Sequence, residues 1–273
     1  MSFDLDLYSQ SWRKIESETS FHLDKNIELI PLLVFDRLDS TNTKLWSLID
    51  DGIECPTGAI ALLQTAGKGQ WGHSWVSQPG GLYLSVGLSW DMDIVDYPHL
   101  VMATAWGIAT ALRAYNLPVT IKWSNDLILE RRKLGGIKIE TRNHKNKLTK
   151  AVVGVGINWQ NSVPHPGINL KSYYRDQNTA QSIKQIASLE ALTAITAYGI
   201  LLGSEYYLAW GIEKLLARYL ETCNSIGKQI DFNGCAGEVV GVTTEGKLKV
   251  KLRSPGASSI VELAPGQISL GYS

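Results

Sequence analysis

Four short stretches of the chain combine cations, amides, hydroxyls and glycines in ways that suit an anionic or polar ligand. The richest is Gln64-Thr65-Ala66-Gly67-Lys68-Gly69-Gln70-Trp71-Gly72-His73-Ser74-Trp75, with three glycines in six residues around Lys68. Such a loop lays backbone N–H groups and a positive charge against an anion. A second stretch, Lys122-Trp123-Ser124-Asn125-Asp126, is followed by Lys133-Leu134-Gly135-Gly136. A third, Asp39-Ser40-Thr41-Asn42, offers hydroxyls and an amide to a small polar ligand. The fourth, Val153-Gly154-Val155-Gly156-Ile157-Asn158, is an apolar strand whose glycines share one face and leave room there.

Each stretch also has a plainer reading. Ser40 or Thr41 is a good N-cap for a helix over 43–50. Asn125 and Asp126 are ordinary turn residues. Lys133, beside Arg131 and Arg132, fits a solvated charge run. Against that stands the Gly135-Gly136 pair, which at a strand entrance signals close approach to the backbone. The loop 64–75 fits a flexible surface hairpin. Two nucleotide fingerprints fail on context. Gly67 to Gly72 spells G-x-G-x-x-G, but a strand and not a helix follows. A Walker A loop would need lysine where His73 stands.

The elements that position these residues follow from periodicity. Residues 32–35 read as a first strand, and 59–64 as a strand entering the glycine loop. Leu82, Leu84, Val86, Leu88 and Trp90 alternate with polar or small residues, which predicts a strand with one buried face. Pro98 opens a helix over 98–117, bounded by Pro118. Two strands over 119–129 flank the Ser-Asn-Asp turn, a strand follows at 133–140, and another at 151–159. Residues 160–186 read as a long loop. Ser188 starts a helix to about Cys223, broken near Gly211. Five strands at 228–232, 235–242, 247–252, 259–263 and 267–270 make a small barrel with a hairpin at Glu245-Gly246. Residues 1–30 are polar apart from Trp12, Ile15 and Phe21. They read as a loosely packed extension, too short for a helix-turn-helix domain.

With 273 residues the chain can bury one large core plus a small domain. Lys+Arg and Asp+Glu both total 26, so no global basic field points to nucleic acid, and no DNA partner is expected. Lys247, Lys249, Lys251 and Arg253 read as one solvated strand face. Cys55, Cys223 and Cys235 form no C-x-x-C pair or disulfide framework, which suits a reducing cytoplasm. Residues 1–8 lack the features of a signal peptide, and no stretch has the apolar length of a membrane span.

Taken in order, the four stretches resemble the biotin–protein ligases. The family's patterns read D-S-T-N, Q-x-x-G-R-G-R-x-G-R-x-W, K-W-P-N-D followed by K-L-x-G-I, and G-I-G-I-N. The likeness covers residues 33–160. It implies an α+β fold: a mixed-sheet catalytic domain over 31–223, related to class II aminoacyl-tRNA synthetases and lipoate ligases, after an extension over 1–30. An SH3-like barrel over 224–273 completes it.

The resemblance also implies a reaction. Biotin carboxylate attacks the α-phosphate of Mg-ATP, giving biotinyl-5′-AMP and pyrophosphate. A lysine of the biotin carboxyl carrier protein of acetyl-CoA carboxylase then takes the biotin. Lys133 would bridge carboxylate and α-phosphate, and Lys68 would stand for an arginine that holds either group. Ser40, Thr41, Asn42 and Gln64 would bind the ureido ring, with Gly69, Gln70, Trp75 and Gly136 completing the biotin pocket. Gly67, Trp71, Asn125, Asp126 and Asn158 would join Lys68 and Lys133 on the ATP and adenylate side, with Mg2+ on Asp126. Closure of the loop would exclude water from the adenylate.

The departures are specific. Lys68, Gln70 and His73 stand where the family's loop carries arginines, and lysine is a point charge where arginine forks. Gln70 lies where the family's loop helps to retain the adenylate. Ser124 replaces a proline. The short N-terminus indicates the ligase-only type. The family includes dimers, and a sheet edge near 152–159 is the segment that would self-pair. Two rival readings remain: a lipoate or octanoate ligase, which has no ureido ring to bind, and a non-catalytic protein that binds biotin or its carrier.

Overall fold

The computed structural model describes residues 3–18, 27–176, 185–254 and 257–272. Seven strands form one mixed sheet: β1 (Leu32–Phe35), β2 (Thr57–Ala61), β3 (Leu82–Asp93), β4 (Thr120–Lys122), β5 (Asp126–Leu129), β6 (Arg132–His144) and β7 (Lys147–Ile157). Their order is β1-β2-β3-β7-β6-β5-β4, with β1–β2 parallel and the other pairs antiparallel.

The continuous apolar run of β7 takes the middle of the sheet, between β3 and β6, as a strand buried on both faces should. This overturns the expected self-pairing edge, because the edges are β1 and β4. On one face, Leu82, Leu84, Val86 and Leu88 join the main core with helices α3 (Tyr97–Arg113) and α5 (Leu189–Thr222). On the other, α2 (Thr41–Asp50) packs Leu45 and Ile49 against Ala59 and Val152. The expectation of one buried face for β3 is therefore corrected. Tyr83, Ser85 and Gly87 are also buried, because α2 and the glycine loop cover that side. Alternation with exposed residues returns only from Ser89 onward.

Local signals set α5 as expected. Ser188 Oγ accepts from Ala191 N at 3.1 Å, and Gly211, at φ 73°, breaks the helix. Helix α3 stops at Arg113, short of Leu117, and Asn116 follows at φ 57°. The loop expected at 160–186 contains a short helix, α4 (Leu170–Asp176); residues 177–184 lie outside the described ones.

The N-terminal expectation fails on packing. Residues Leu5–Glu18 form α1, whose Tyr8, Trp12 and Ile15 are buried in the main core. Their spacing places all three on one helical face. Tyr8 donates to Ile30 O at 3.0 Å, and Trp12 meets Tyr198 edge-on at 5.7 Å. Phe21 lies outside the described residues.

Beyond α5, β8 (Gln229–Phe232), β9 (Cys235–Val242), β10 (Leu248–Ser254) and β11 (Ala257–Leu263) form an antiparallel sheet in the order β11-β10-β9-β8. The expected fifth strand at 267–270 does not form. That segment runs back over the large sheet instead, ending at Tyr272 beside β5. The Glu245-Gly246 hairpin forms and docks beside the large sheet: Trp123 Nε1 donates to Gly246 O at 3.0 Å. Among the described residues, no helix is long and apolar enough to cross a membrane.

Candidate active site

The inner end of the site is built at the start of α2. Ser40 is the N-cap by position, yet its hydroxyl makes no capping bond. Gln64, from the glycine loop, caps the helix: its Oε1 accepts from Thr41 N at 2.8 Å and from Thr41 Oγ1 at 3.2 Å. Gln64 Nε2 donates to Ser77 Oγ at 2.8 Å. Below them, Ser85 Oγ lies 2.7 Å from both Thr41 Oγ1 and Asn42 Oδ1. With Asn42's oxygen facing Ser85, its buried Nδ2 has no partner. A buried amide donor left unpaired costs about 1–3 kcal/mol, so an acceptor is missing here.

Two glycines of β7 make the floor. A Cβ on Gly154 would lie 2.2 Å from Asn42 Oδ1, and one on Gly156 would lie 2.4 Å from Trp75 Nε1. The Trp75 indole lies against Gly156 and Gly136, and its buried Nε1 is likewise unpartnered. The loop 64–75 closes as a small hairpin, with Gly69 N donating to His73 O at 2.7 Å and a bridge between Lys68 and Ser74. Its tip, Trp71, sits at φ 55° and is 68% exposed.

The charged end comes from β5 and β6. Lys133 Nζ lies 2.7 Å from Asp126 Oδ1. Lys122 Nζ stands 3.6 Å from Asp126 Oδ2, which accepts from the Tyr272 hydroxyl at 2.7 Å. Burial pulls the Lys122 pKa below the ordinary lysine value, and Asp126 opposes that fall. Asn125 Nδ2 donates to Ile137 O at 2.8 Å, which ties the β4–β5 turn to β6. Lys68 Nζ donates to Thr43 Oγ1 at 2.8 Å, and Lys138 Nζ donates to Gly69 O at 3.0 Å.

One cleft thus gathers Ser40, Thr41, Asn42, Gln64, Lys68, Gly69, Gln70, Trp75, Asn125, Lys133 and Gly136. A contiguous outer cleft adds Trp71, His73, Lys122 and Asp126, and residues 265–270 and Tyr272 also line it. Asn158 lines neither cleft. It lies in an adjoining hollow with Trp75, Lys133 and Asn161, where its Nδ2 donates to Lys133 O at 3.4 Å. Gly67 also lines neither cleft: its carbonyl accepts from Trp75 N at 2.8 Å beneath the loop.

Sequence reasoning missed Ser85, Lys138 and Tyr272, and quoted Lys122 without a role. Ser85 had no distinct signal, since β3 alternates apolar with polar or small residues. Tyr272 had none.

Residues 34–158 match the model of the Biotin/lipoate A/B protein ligase family. That segment is similar to the biotin/lipoate ligase domain. The chain is 30% identical over 145 residues to the bifunctional ligase/repressor BirA of Bacillus subtilis, covering 52% of this chain and 45% of that protein. It is 28% identical over 248 residues to a biotin–protein ligase of Schizosaccharomyces pombe, covering 77% of this chain and 37% of that one. The chain therefore spans less than half the length of these two relatives. In fold it is similar to the biotin protein ligase of Aquifex aeolicus solved with biotin and ATP. The TM-score is 0.63 at 21% identity, over 86% of this chain and 100% of that one. All four motif stretches fall within the matched segment, whereas Tyr272 comes from outside it.

Proposed function

We propose that this chain is a biotin–protein ligase: it activates biotin with Mg-ATP and passes it to a lysine of a biotin carboxyl carrier protein, that of acetyl-CoA carboxylase. The catalytic unit on this reading is residues 31–223, with 224–273 as the small domain, acting in the cytoplasm. The observation that carries it is the inner cleft. Ser40, Thr41 and Gln64 present hydroxyl and amide groups there, and Asn42 Nδ2 is a buried donor lacking an acceptor. A cyclic urea supplies both an acceptor oxygen and N–H donors, and so fits this set. A lipoyl ring supplies neither, so the lipoate reading leaves Asn42 unsatisfied.

From that end the cleft leads to Lys133. A carboxylate at the tail of the ligand would meet its ammonium, and so would the α-phosphate. Lys133 offsets the charge that both anions bring together, and Asp126 orients its ammonium. Trp75 screens this point from water on one side, with its ring centroid 5.4 Å from Lys133 Nζ.

Asp126 is the one acid lining the outer cleft among the described residues. Mg2+ commonly uses one or two carboxylates together with substrate phosphates, so Asp126 would have to give up Lys133 on Oδ1 or Tyr272 on Oδ2 to hold it. When bound, the ion would neutralise phosphate charge. The loop's lysine in place of arginines leaves Lys68, Lys122, Lys133 and Lys138 as the cations around the two clefts.

The test is biotin-dependent exchange of labelled pyrophosphate into ATP, with wild type and Lys133→Ala side by side. The expected result is exchange with biotin, none with lipoate, and a loss of at least about 100-fold in the variant, or about 2.7 kcal/mol of transition-state stabilisation. Absence of exchange with either acid would sink the proposal.

A further inference from the structure

Asp126 is held by groups from three parts of the chain. Lys133 of β6 donates to Oδ1 at 2.7 Å, and the Tyr272 hydroxyl donates to Oδ2 at 2.7 Å. Lys122 of β4 stands 3.6 Å from Oδ2, with the Tyr272 ring centroid 3.6 Å from its Nζ. Tyr272 arrives on the strap 265–272, which lines the outer cleft and packs at Gly266 against Trp71 of the glycine loop. Lys228 Nζ anchors the strap by donating to Gly271 O at 3.0 Å.

A carboxylate between two ammonium groups would ordinarily pair closely with both. Here the phenol takes the near side of Oδ2, and its ring lies against Lys122. The 3.6 Å separation is beyond an ordinary hydrogen bond. Lys122 is buried, its contact with Asp126 Oδ2 is long at 3.6 Å, and its residue lines the outer cleft. The aromatic face compensates part of that desolvated charge.

We propose that Tyr272 is a positioning residue of the nucleotide site: it holds Lys122 off Asp126, so that the Lys122 ammonium is kept for the phosphates of the bound nucleotide. The inference rests on the adenylating reading. It also gives the small β domain a part in the site. Loss of the hydroxyl lets Lys122 close on Asp126 Oδ2, and the phosphates then compete with a carboxylate for the same donor.

The test is calorimetric titration of the full chain with ATP in Mg2+ and, separately, with biotin, using wild type, Tyr272→Phe, Lys122→Met and the double variant. Tyr272→Phe keeps the ring and loses the hydroxyl. Its affinity for ATP should fall about tenfold, the size of one hydrogen bond to a charged group. Biotin affinity and the thermal midpoint should stay at wild-type values. If Tyr272 acts through Lys122, the double variant binds ATP no more weakly than Lys122→Met alone. A merely structural role predicts additive losses, or losses of ATP and biotin binding together, and either result overturns the proposal. So does wild-type affinity for ATP in Tyr272→Phe. A wild type that binds no ATP overturns the adenylating reading and this inference with it, whereas a wild type that binds ATP isolates the failure to Tyr272.

Discussion

Gly156 and Trp75 are in direct contact: a Cβ on Gly156 would lie 2.4 Å from the indole Nε1. The glycine is therefore a condition for the position of the tryptophan, which lines both the inner and the outer cleft. Gly156→Ala should displace Trp75, destabilise the protein by about 1–3 kcal/mol through overpacking, and weaken biotin binding. Denaturant unfolding and biotin titration check this; wild-type values for both would mean that the ring relocates without consequence.

Asn42 carries the clearest sign of a group kept for a ligand. Its Nδ2 is buried and has no hydrogen-bond partner among the described residues. Asn42→Leu, similar in volume, should leave the free protein as stable or more so, since an unsatisfied donor costs about 1–3 kcal/mol. Biotin affinity should fall by at least about tenfold, the equivalent of one lost polar contact. Thermal unfolding with and without biotin separates the two effects. A variant that loses stability but keeps biotin binding contradicts the assignment.

Asp126 and Lys133 should differ in what their loss does to stability. Removing Asp126 leaves the buried Lys122 and the half-buried Lys133 without their shared carboxylate. Asp126→Asn should cost about 3 kcal/mol, as for breaking a buried ion pair, whereas Lys133→Ala should cost less because Tyr272 and Lys122 still face Asp126. Urea unfolding of both variants is the measurement, and equal losses would count against this account.

Alkaline pH should loosen the attachment of α1. Burial raises the Tyr8 phenol pKa above its ordinary value. The neutral phenol is thus favoured in the fold, so its contribution is intact below about pH 10 and is lost as pH rises beyond it. Tyr8→Phe, which loses the bond to Ile30 O, should cost about 1 kcal/mol at neutral pH. It should also show a shallower loss of stability on the alkaline side. Denaturation at a series of pH values reads both, and parallel curves for the two proteins would refute the attribution.

Helix α1 should behave as part of the core. Trp12 is 3% exposed and packs on Tyr198 of α5. Trp12→Ala should destabilise by about 3–5 kcal/mol, the range for a large buried aromatic, as read by chemical denaturation. A loss near zero would restore the loosely attached extension that composition alone suggested.

What was legible in the sequence was what neighbours along the chain decide. The apolar run with Gly154 and Gly156, the Ser188 cap, the Gly211 break and the residue types of the glycine loop all act within a few positions. The inner cleft was legible too, because its residues sit in short motifs that resemble a family's. Tertiary structure decided the rest. Gln64 and not Ser40 caps α2, Ser85 is buried beneath Asn42, and Tyr272 reaches Asp126 across 146 positions. These contacts depend on which faces of the sheet are covered and where the small domain docks. Periodicity reports that a residue such as Trp12 is apolar and suitably spaced. Whether it is buried depends on a distant surface shaped to receive it, here α5, and no local window contains that surface.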